Sequence, residues 1–342
     1  MSRQRATRSL TARGGKAAEP ALGEFELIDR FFRRPTRHSV LGIGDDAALL
    51  APTVGSELVV SVDMLVAGRH FFAEVDPEAL GYKTLAVNLS DIAAMGAAPR
   101  WALLAGALPE ADSAWLTGFA RGFFALAEAH DVDLVGGDTT RGPLNLCVTI
   151  LGEVPAGEAL RRSGAQPGDG IYVSGQLGDA ALALAHHRGK VKLERDEFVR
   201  CQESLLRPIP RLALGSVLRG VATAAIDVSD GLVGDLGHIL DASGVGAAIE
   251  LKAIPRSASL DRRLADTERA LALECLLAGG DDYELCFTAP EDRAADVQAL
   301  AGELELPLTR VGMIEQRAGL TVLDDNGVAL SSLPHAFDHF AR

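Results

Sequence analysis

The chain has 342 residues, 48% hydrophobic and 23% charged, with 36 glycines and 15 prolines, which excludes a disordered or collagen-like chain. Its 33 basic and 47 acidic side chains leave a formal net charge of −14, so nucleic acid and membrane are not expected partners without a basic patch. The length favours two α/β domains, each with its own core.

Residues 1–22 carry Arg3, Arg5, Arg8, Arg13 and Lys16 with no acid before Glu19. Although that bias is like a transit peptide's, no amphipathic apolar face is evident, and the stretch reads as a flexible basic tail outside the fold. The β-branched run at 58–62 predicts a buried strand ending at Asp63. Asp76-Pro77-Glu78 predicts a helix start: an N-cap, proline at the first position and an acid in the first turn. That helix runs to Gly96 and places Asn88 and Asp91 on one face near its end. A strand at 101–108, a helix at 112–130, a short strand at 132–135 running into Gly-Gly-Asp-Thr, and a strand at 146–154 follow. Glycines and prolines between 155 and 170 mark a boundary between domains at 23–154 and 155–342.

The second half repeats the mixed pattern. It predicts strands at 171–174, 224–228, 247–251 and 284–288, and helices at 178–187, 198–206, 211–221 and 232–242. A hairpin-type turn is expected at 325–327. No uninterrupted apolar stretch reaches the roughly 18–20 residues that span a bilayer. Cys147, Cys201, Cys275 and Cys286 are scattered without a C-x-x-C pair, which fits a reducing, cytoplasmic setting.

The chemistry is carried by acids that recur where apolar runs end, each beside glycine, serine or threonine. They stand at Gly-Ile-Gly-Asp-Asp (42–46), Ser61-Val62-Asp63, Asn88-Leu89-Ser90-Asp91, Gly136-Gly137-Asp138-Thr139 and Asp227-Val228-Ser229-Asp230-Gly231. A carboxylate at the end of a buried strand needs a partner, and no matching set of lysines and arginines is near in sequence. Short, hard oxygen ligands suit Mg²⁺, which usually reaches a protein with substrate phosphates. The pattern therefore reads as a metal-dependent, phosphate-handling enzyme with its site shared between two α/β domains. There is no G-x-x-x-x-G-K-[ST] loop and no kinase-type catalytic loop, so metal-held phosphates and glycine-rich backbone must bind any nucleotide. Singly, such residues have plainer roles: Asp324 and Asp325 as turn residues, Asp281-Asp282 as a helix cap, Arg161-Arg162 as a solvated pair, His186-His187 as a helix surface without a metal.

Taken in order, these segments resemble thiamine-monophosphate kinases. The resemblance begins at Gly23-Glu24-Phe25-Glu26-Leu27-Ile28 and runs through the acidic motifs, Ser-Val-Asp-Met-Leu-Val-Ala-Gly-Arg-His-Phe (61–71), Asn-Leu-Ser-Asp-Ile-Ala-Ala-Met-Gly-Ala (88–97) and Gly-Gly-Asp-Asp-Tyr-Glu-Leu (279–285). It implies ATP-dependent phosphorylation of thiamine monophosphate to thiamine diphosphate by direct in-line transfer. It implies also the two-domain fold of the aminoimidazole-ribonucleotide-synthetase superfamily, with the N-terminal sheets paired in a homodimer. By position, Asp46, Ser61, the Val62 carbonyl, Asp63, Asp91, Asp138, Asp227 and Asp230 would hold Mg²⁺, with Asp45 a further candidate. Gly137, Asp138, Arg162 and Ser229 would contact ATP, and His70, Asp281 and Phe337 the thiamine moiety. The resemblance departs at Asp281, where Glu is frequent, at Phe337, where Tyr or Trp is common, and at Arg69, often a smaller polar residue. Alternatives are another ATP-dependent synthetase of the superfamily or a non-catalytic nucleotide and metal sensor. Selenophosphate synthetase would want a reactive residue near the N-terminus, where there is no Cys before 147, and the hydrogenase-maturation dehydratase a C-terminal Cys, where the sequence reads Phe340-Ala341-Arg342.

Overall fold

A computed structural model describes residues 23–335; the basic stretch 1–22 and Phe337 lie outside the described residues. The chain opens with a short helix α1 (Glu24–Leu27) that runs into a π-helical turn, Ile28–Phe32. Two short antiparallel strands, β1 (Ser39–Leu41) and β2 (Leu49–Leu50), flank the Gly-Ile-Gly-Asp-Asp loop. Next come β3 (Ser56–Val66), α2 (Pro77–Ala94), β4 (Ala98–Leu108), α3 (Ser113–Ala129), β5 (Asp133–Arg141) and β6 (Asn145–Pro155). The four longer strands form a sheet of order β3-β6-β4-β5, with β5 parallel to β4 and the other pairs antiparallel.

The second unit contains β7 (Gly170–Ser174), α4 (Asp179–His187), α5 (Arg195–Leu206), α6 (Leu212–Leu218), β8 (Ala224–Val228), α7 (Leu232–Ser243) and β9 (Gly246–Glu250). It continues with α8 (Ala258–Leu264), α9 (Arg269–Ala278), β10 (Glu284–Ala289), α10 (Ala294–Glu303), β11 (Leu308–Glu315) and β12 (Gly319–Leu323). Its six strands run in the order β12-β9-β11-β7-β10-β8. The mixed α/β class expected from the sequence is what the chain adopts.

Helix α2 holds the two units together. Asp76 caps it by accepting the Ala79 N–H at 3.0 Å, and Pro77 takes the first position, where its missing donor costs nothing. Most of its side chains are buried, because it packs on β3, β6 and α3 on one side and on α6, β8 and β10 on the other. Leu85, Leu89, Phe119, Phe123 and Ile150 lie in one core, and Ile171, Leu236, Ile239 and Leu276 in a second. Each such side chain contributes about 1.5–3 kcal/mol by leaving water.

Several elements differ from the sequence expectation. β3 continues past Asp63 to Val66 because β6 pairs with it along its whole length, Val66 opposite Asn145. β5 likewise runs through Gly136–Arg141, since β4 supplies a ladder partner for each of these residues. The acids of these segments therefore sit within strands, not at their ends. Strands β11 and β12 and helices α8, α9 and α10 were not expected. The turn at 325–327 is present, with Asp324 accepting the Asn326 and Val328 N–H groups. Among the described residues no helix is long and apolar enough to cross a membrane.

Candidate active site

Inner-face alternation on β3 aims Ser61 and Asp63 at helix α2, while Leu58, Val60, Val62 and Met64 point outward and are 46–59% exposed. The last turns of α2 answer with Asn88, Ser90 and Asp91. Ser61 Oγ donates to Asp91 Oδ2 at 2.5 Å, and the Asp63 N–H donates to Asn88 Oδ1 at 3.2 Å. Ser90 Oγ reaches across to the second unit and donates to Asp227 Oδ2 at 2.7 Å. Strand β8 carries Asp227 and ends in the turn 229–231, whose three N–H groups all donate to Asp235 Oδ2 at 3.0 Å. That carboxylate, in the first turn of α7, pre-forms the loop bearing Ser229 and Asp230.

The electrostatics show how tightly like charges are gathered. Burial, then the charges of Asp91 and Asp230, push the Asp63 carboxyl up to about 6. Burial raises Asp91, with the Ser61 hydrogen bond and the Arg162 charge pulling the other way. Asp227 is raised by burial first and by the charge of Asp91 next. Asp235 is pushed up to about 7, again chiefly by burial. Like-charged carboxyls packed together with raised pKa values in a cleft mark a candidate functional site. Ser61, Asp91, Arg162 and Asp227 line one cleft of about 940 Å³ between the two units.

Asp46, Gly137 and Asp138 are held elsewhere. They line a second cavity of about 780 Å³ with apolar walls that include Phe32, Ile43 and Leu104. Across the sheet, Asp63 aligns with Val148, Val148 with Leu104, and Leu104 with Gly137. Three strand spacings separate Asp63 from Gly137, the neighbour of Asp138, by about 14 Å. Within one chain the expected metal ligands thus fall into two groups. Gly137 is required by close strand packing: a Cβ there would lie 1.9 Å from the Leu104 carbonyl oxygen, at φ +148°.

The thiamine-contact candidates are placed separately. His70 follows β3, its Nδ1 accepting the Val66 N–H at 3.0 Å. Asp281 lies on the loop leading into β10, where its N–H donates to the Ser229 carbonyl at 2.9 Å and Tyr283 N–H to that of Val228 at 2.8 Å. Gly280 makes this apposition possible, since a Cβ would meet the Ser229 oxygen at 2.3 Å. Asp282 lies far from α4 in sequence, and its carboxylate accepts the N–H of Gly178, the residue that precedes that helix, at 2.9 Å. The histidine pair is less bare than a helix surface implies, because His186 Nδ1 accepts the Leu193 N–H and His187 packs 5.0 Å from Phe72. Arg162 is exposed, yet it lines the cleft and its charge lowers the Asp91 carboxyl.

Sequence reasoning missed Ser90, Asp235, Tyr283 and Lys83 as site residues. For Lys83 a signal existed: it is the lysine of a helix whose other residues read as nearly all core, and a charge there needs a buried partner. Among the described residues, no three His, Cys, Asp or Glu side chains form a ready-made coordination shell. The donor set nevertheless fits a hard divalent cation: several short carboxylates lie close together, and Asp91 and Asp227 each accept from a serine hydroxyl.

A family model described as "AIR synthase related protein, N-terminal domain" matches residues 44–154, and its C-terminal counterpart matches 166–325. Thiamine-monophosphate kinase of Salmonella typhimurium is 48% identical over 328 residues, covering 94% of this chain and 99% of that protein. The crystal structure of thiamine-monophosphate kinase from Stenotrophomonas maltophilia K279a superposes with a TM-score of 0.81 at 49% identity, over 91% of this chain and 99% of that one. A structure described as AaThiL complexed with AMPPCP and TMP superposes at 0.74 with 30% identity, over 93% of this chain and 97% of that one. On identity of this extent over both domains, the chain belongs to the thiamine-monophosphate kinase family of AIR synthase related proteins.

Proposed function

We propose that this chain transfers the γ-phosphoryl group of ATP to thiamine monophosphate, giving thiamine diphosphate and ADP. The observation that carries this reading is the convergence of Asp91 and Asp227, from α2 and β8, on a cleft that also presents Ser61 and Arg162, with the Asp63 carboxyl of β3 close enough to feel the Asp91 charge. Family membership supplies the substrates, and the AaThiL complex with AMPPCP and TMP supports both as ligands of the fold.

Donor and acceptor are polyanions, and each like-charge pair opposes their approach by about 4 kcal/mol at 4 Å with an effective dielectric near 20. The aspartates would hold Mg²⁺, which would supply positive charge against these phosphates. Asp63, Asp91, Asp227 and Asp230, with Ser61 and the Val62 carbonyl, are the proposed ligands on the cleft side, and Asp46 and Asp138 on the other. Arg162 and Ser229 contact ATP phosphates, and the glycine backbone at 137 allows close approach. His70, Asp281 and Phe337 are assigned to the thiamine moiety. An acceptor phosphate whose second pKa is about 6 is already deprotonated at pH 7, so no general base is needed. The chain's own contribution is orientation and charge placement: Ser61 and Ser90 aim two carboxylates, and Asp235 holds the 229–231 turn.

A homodimer fits this reading. The exposed stripe Leu58, Val60, Val62 and Met64 lies on edge strand β3, a surface that soluble chains normally cover. The decisive assay is coupled detection of ADP with Mg²⁺-ATP and either thiamine monophosphate, thiamine or no acceptor. Steady ADP release with thiamine monophosphate alone is expected. Equal release without an acceptor contradicts the proposal.

A further inference from the structure

Lys83 is 2% exposed in the middle of α2. An ammonium so placed needs a counter-charge, and its Nζ lies 2.7 Å from Asp281 Oδ1. The pair joins the helix that carries Ser90 and Asp91 to the loop laid against Val228 and Ser229. Lys83 is seven and eight residues before those two, one helical stripe facing the same seam.

The loop does not hold this shape by its own preference. Asp281 has φ +71° and Tyr283 φ +51°, left-handed values that are rare for a bulky side chain and are kept only by surrounding contacts. Backbone bonds to Val228 and Ser229 fix the course of the chain, yet they leave the Asp281 carboxylate free to rotate. What orients it is a pair of side-chain donors. The Lys83 ammonium and the Tyr283 hydroxyl, at 3.3 Å, both meet Oδ1. The Asp281 side chain is 27% exposed, so a ligand can still reach it.

We propose that Lys83 is a positioning residue: it fixes the Asp281 carboxylate in the orientation that receives the thiamine moiety. This rests on the reading above that Asp281 contacts that moiety. Lys83 acts through Asp281 and touches neither nucleotide nor reacting phosphate, so it governs one substrate and not the other.

The test is a cycle of Lys83→Met, Asp281→Asn and the double variant, with KM measured separately for thiamine monophosphate and ATP. Lys83→Met is expected to raise KM for thiamine monophosphate by about tenfold or more while KM for ATP moves less than about twofold. The double variant is expected to match Asp281→Asn alone within about twofold. Equal rises in both KM values, or a fall in kcat alone, overturn the inference, because general damage does not separate the substrates. If Asp281→Asn raises KM for thiamine monophosphate and Lys83→Met does not, the role of Lys83 falls and the assignment of Asp281 stands. If Asp281→Asn changes nothing, that assignment falls and takes the inference with it. Should the single lysine variant fail to fold, the double variant, which buries no unpaired carboxylate, decides. Parity with Asp281→Asn supports positioning, and a further rise in KM for thiamine monophosphate overturns it.

Discussion

Asp63→Asn is expected to make the metal-free protein more stable at pH 8 while it removes turnover. Burial and the neighbouring charges of Asp91 and Asp230 raise the Asp63 carboxyl from 3.8 to about 6. A carboxyl raised in the folded state binds its proton more tightly there than in the unfolded chain. The stability it contributes is therefore fully present below 3.8 and lost as pH rises through about 6. At pH 8 the accumulated cost is about 3 kcal/mol, from a rise of about two units at 1.36 kcal/mol each, and at pH 5 it is about half of that. Asparagine keeps the shape and never carries the charge, so it relieves that cost. A chain of this length moves by about 2 °C or less in Tm per kcal/mol, which sets the expected gain at a few degrees. Scanning calorimetry in EDTA at pH 5 and pH 8 reads it directly: a larger gain at pH 8, shrinking at pH 5. Excess Mg²⁺ should raise the wild-type Tm more than that of the variant, because the ion relieves the same repulsion. An Asn variant that is less stable by equal amounts at both pH values refutes the reasoning.

Two more substitutions follow from the hydrogen bonds. Asp235→Ala strips the acceptor from three N–H groups of the 229–231 turn; kcat/KM for ATP should fall more than about tenfold, since each unpaired buried donor costs about 1–3 kcal/mol. Ser90→Ala removes the donor that lowers the Asp227 carboxyl, so that carboxyl should hold its proton to higher pH and the Mg²⁺ concentration for half-maximal rate should rise, as read from titrations at pH 6.5 and 8.

Most core elements were legible because their apolar spacing is strong. The helix over 77–94 announced itself by Asp76-Pro77, and strand 224–228 appears with the bounds expected. Where reading failed, the cause lay in a partner strand. Gly136-Gly137-Asp138-Thr139 has turn composition, yet β4 supplies a parallel ladder that keeps it extended. Asp63 looked like a strand end because the apolar run stops there, whereas β6 carries the pairing on to Val66. Helix α8 has seven residues, α10 buries only Val297, and β11 buries only Val311 and Ile314, so their periodic signal is weak. The acids themselves were visible, but their grouping was not. Ser90 meets Asp227 across 137 positions, and Lys83 meets Asp281 from the other domain; no local pattern encodes either. The separation of Asp46 and Asp138 from the Asp63 cluster likewise follows from strand order, which spacing alone does not reveal.

Divalent ions gripped by aspartates from both halves are the centre of this account, and binding stoichiometry tests them most directly. Mn²⁺ bound per chain can be counted by electron paramagnetic resonance with AMPPCP present, for the wild type and for Asp227→Asn, with circular dichroism confirming that both are folded. The expected result is more than one ion per wild-type chain and fewer in the variant. The same number of ions in both, at the same affinity, contradicts the role given to Asp227 and with it the shared site.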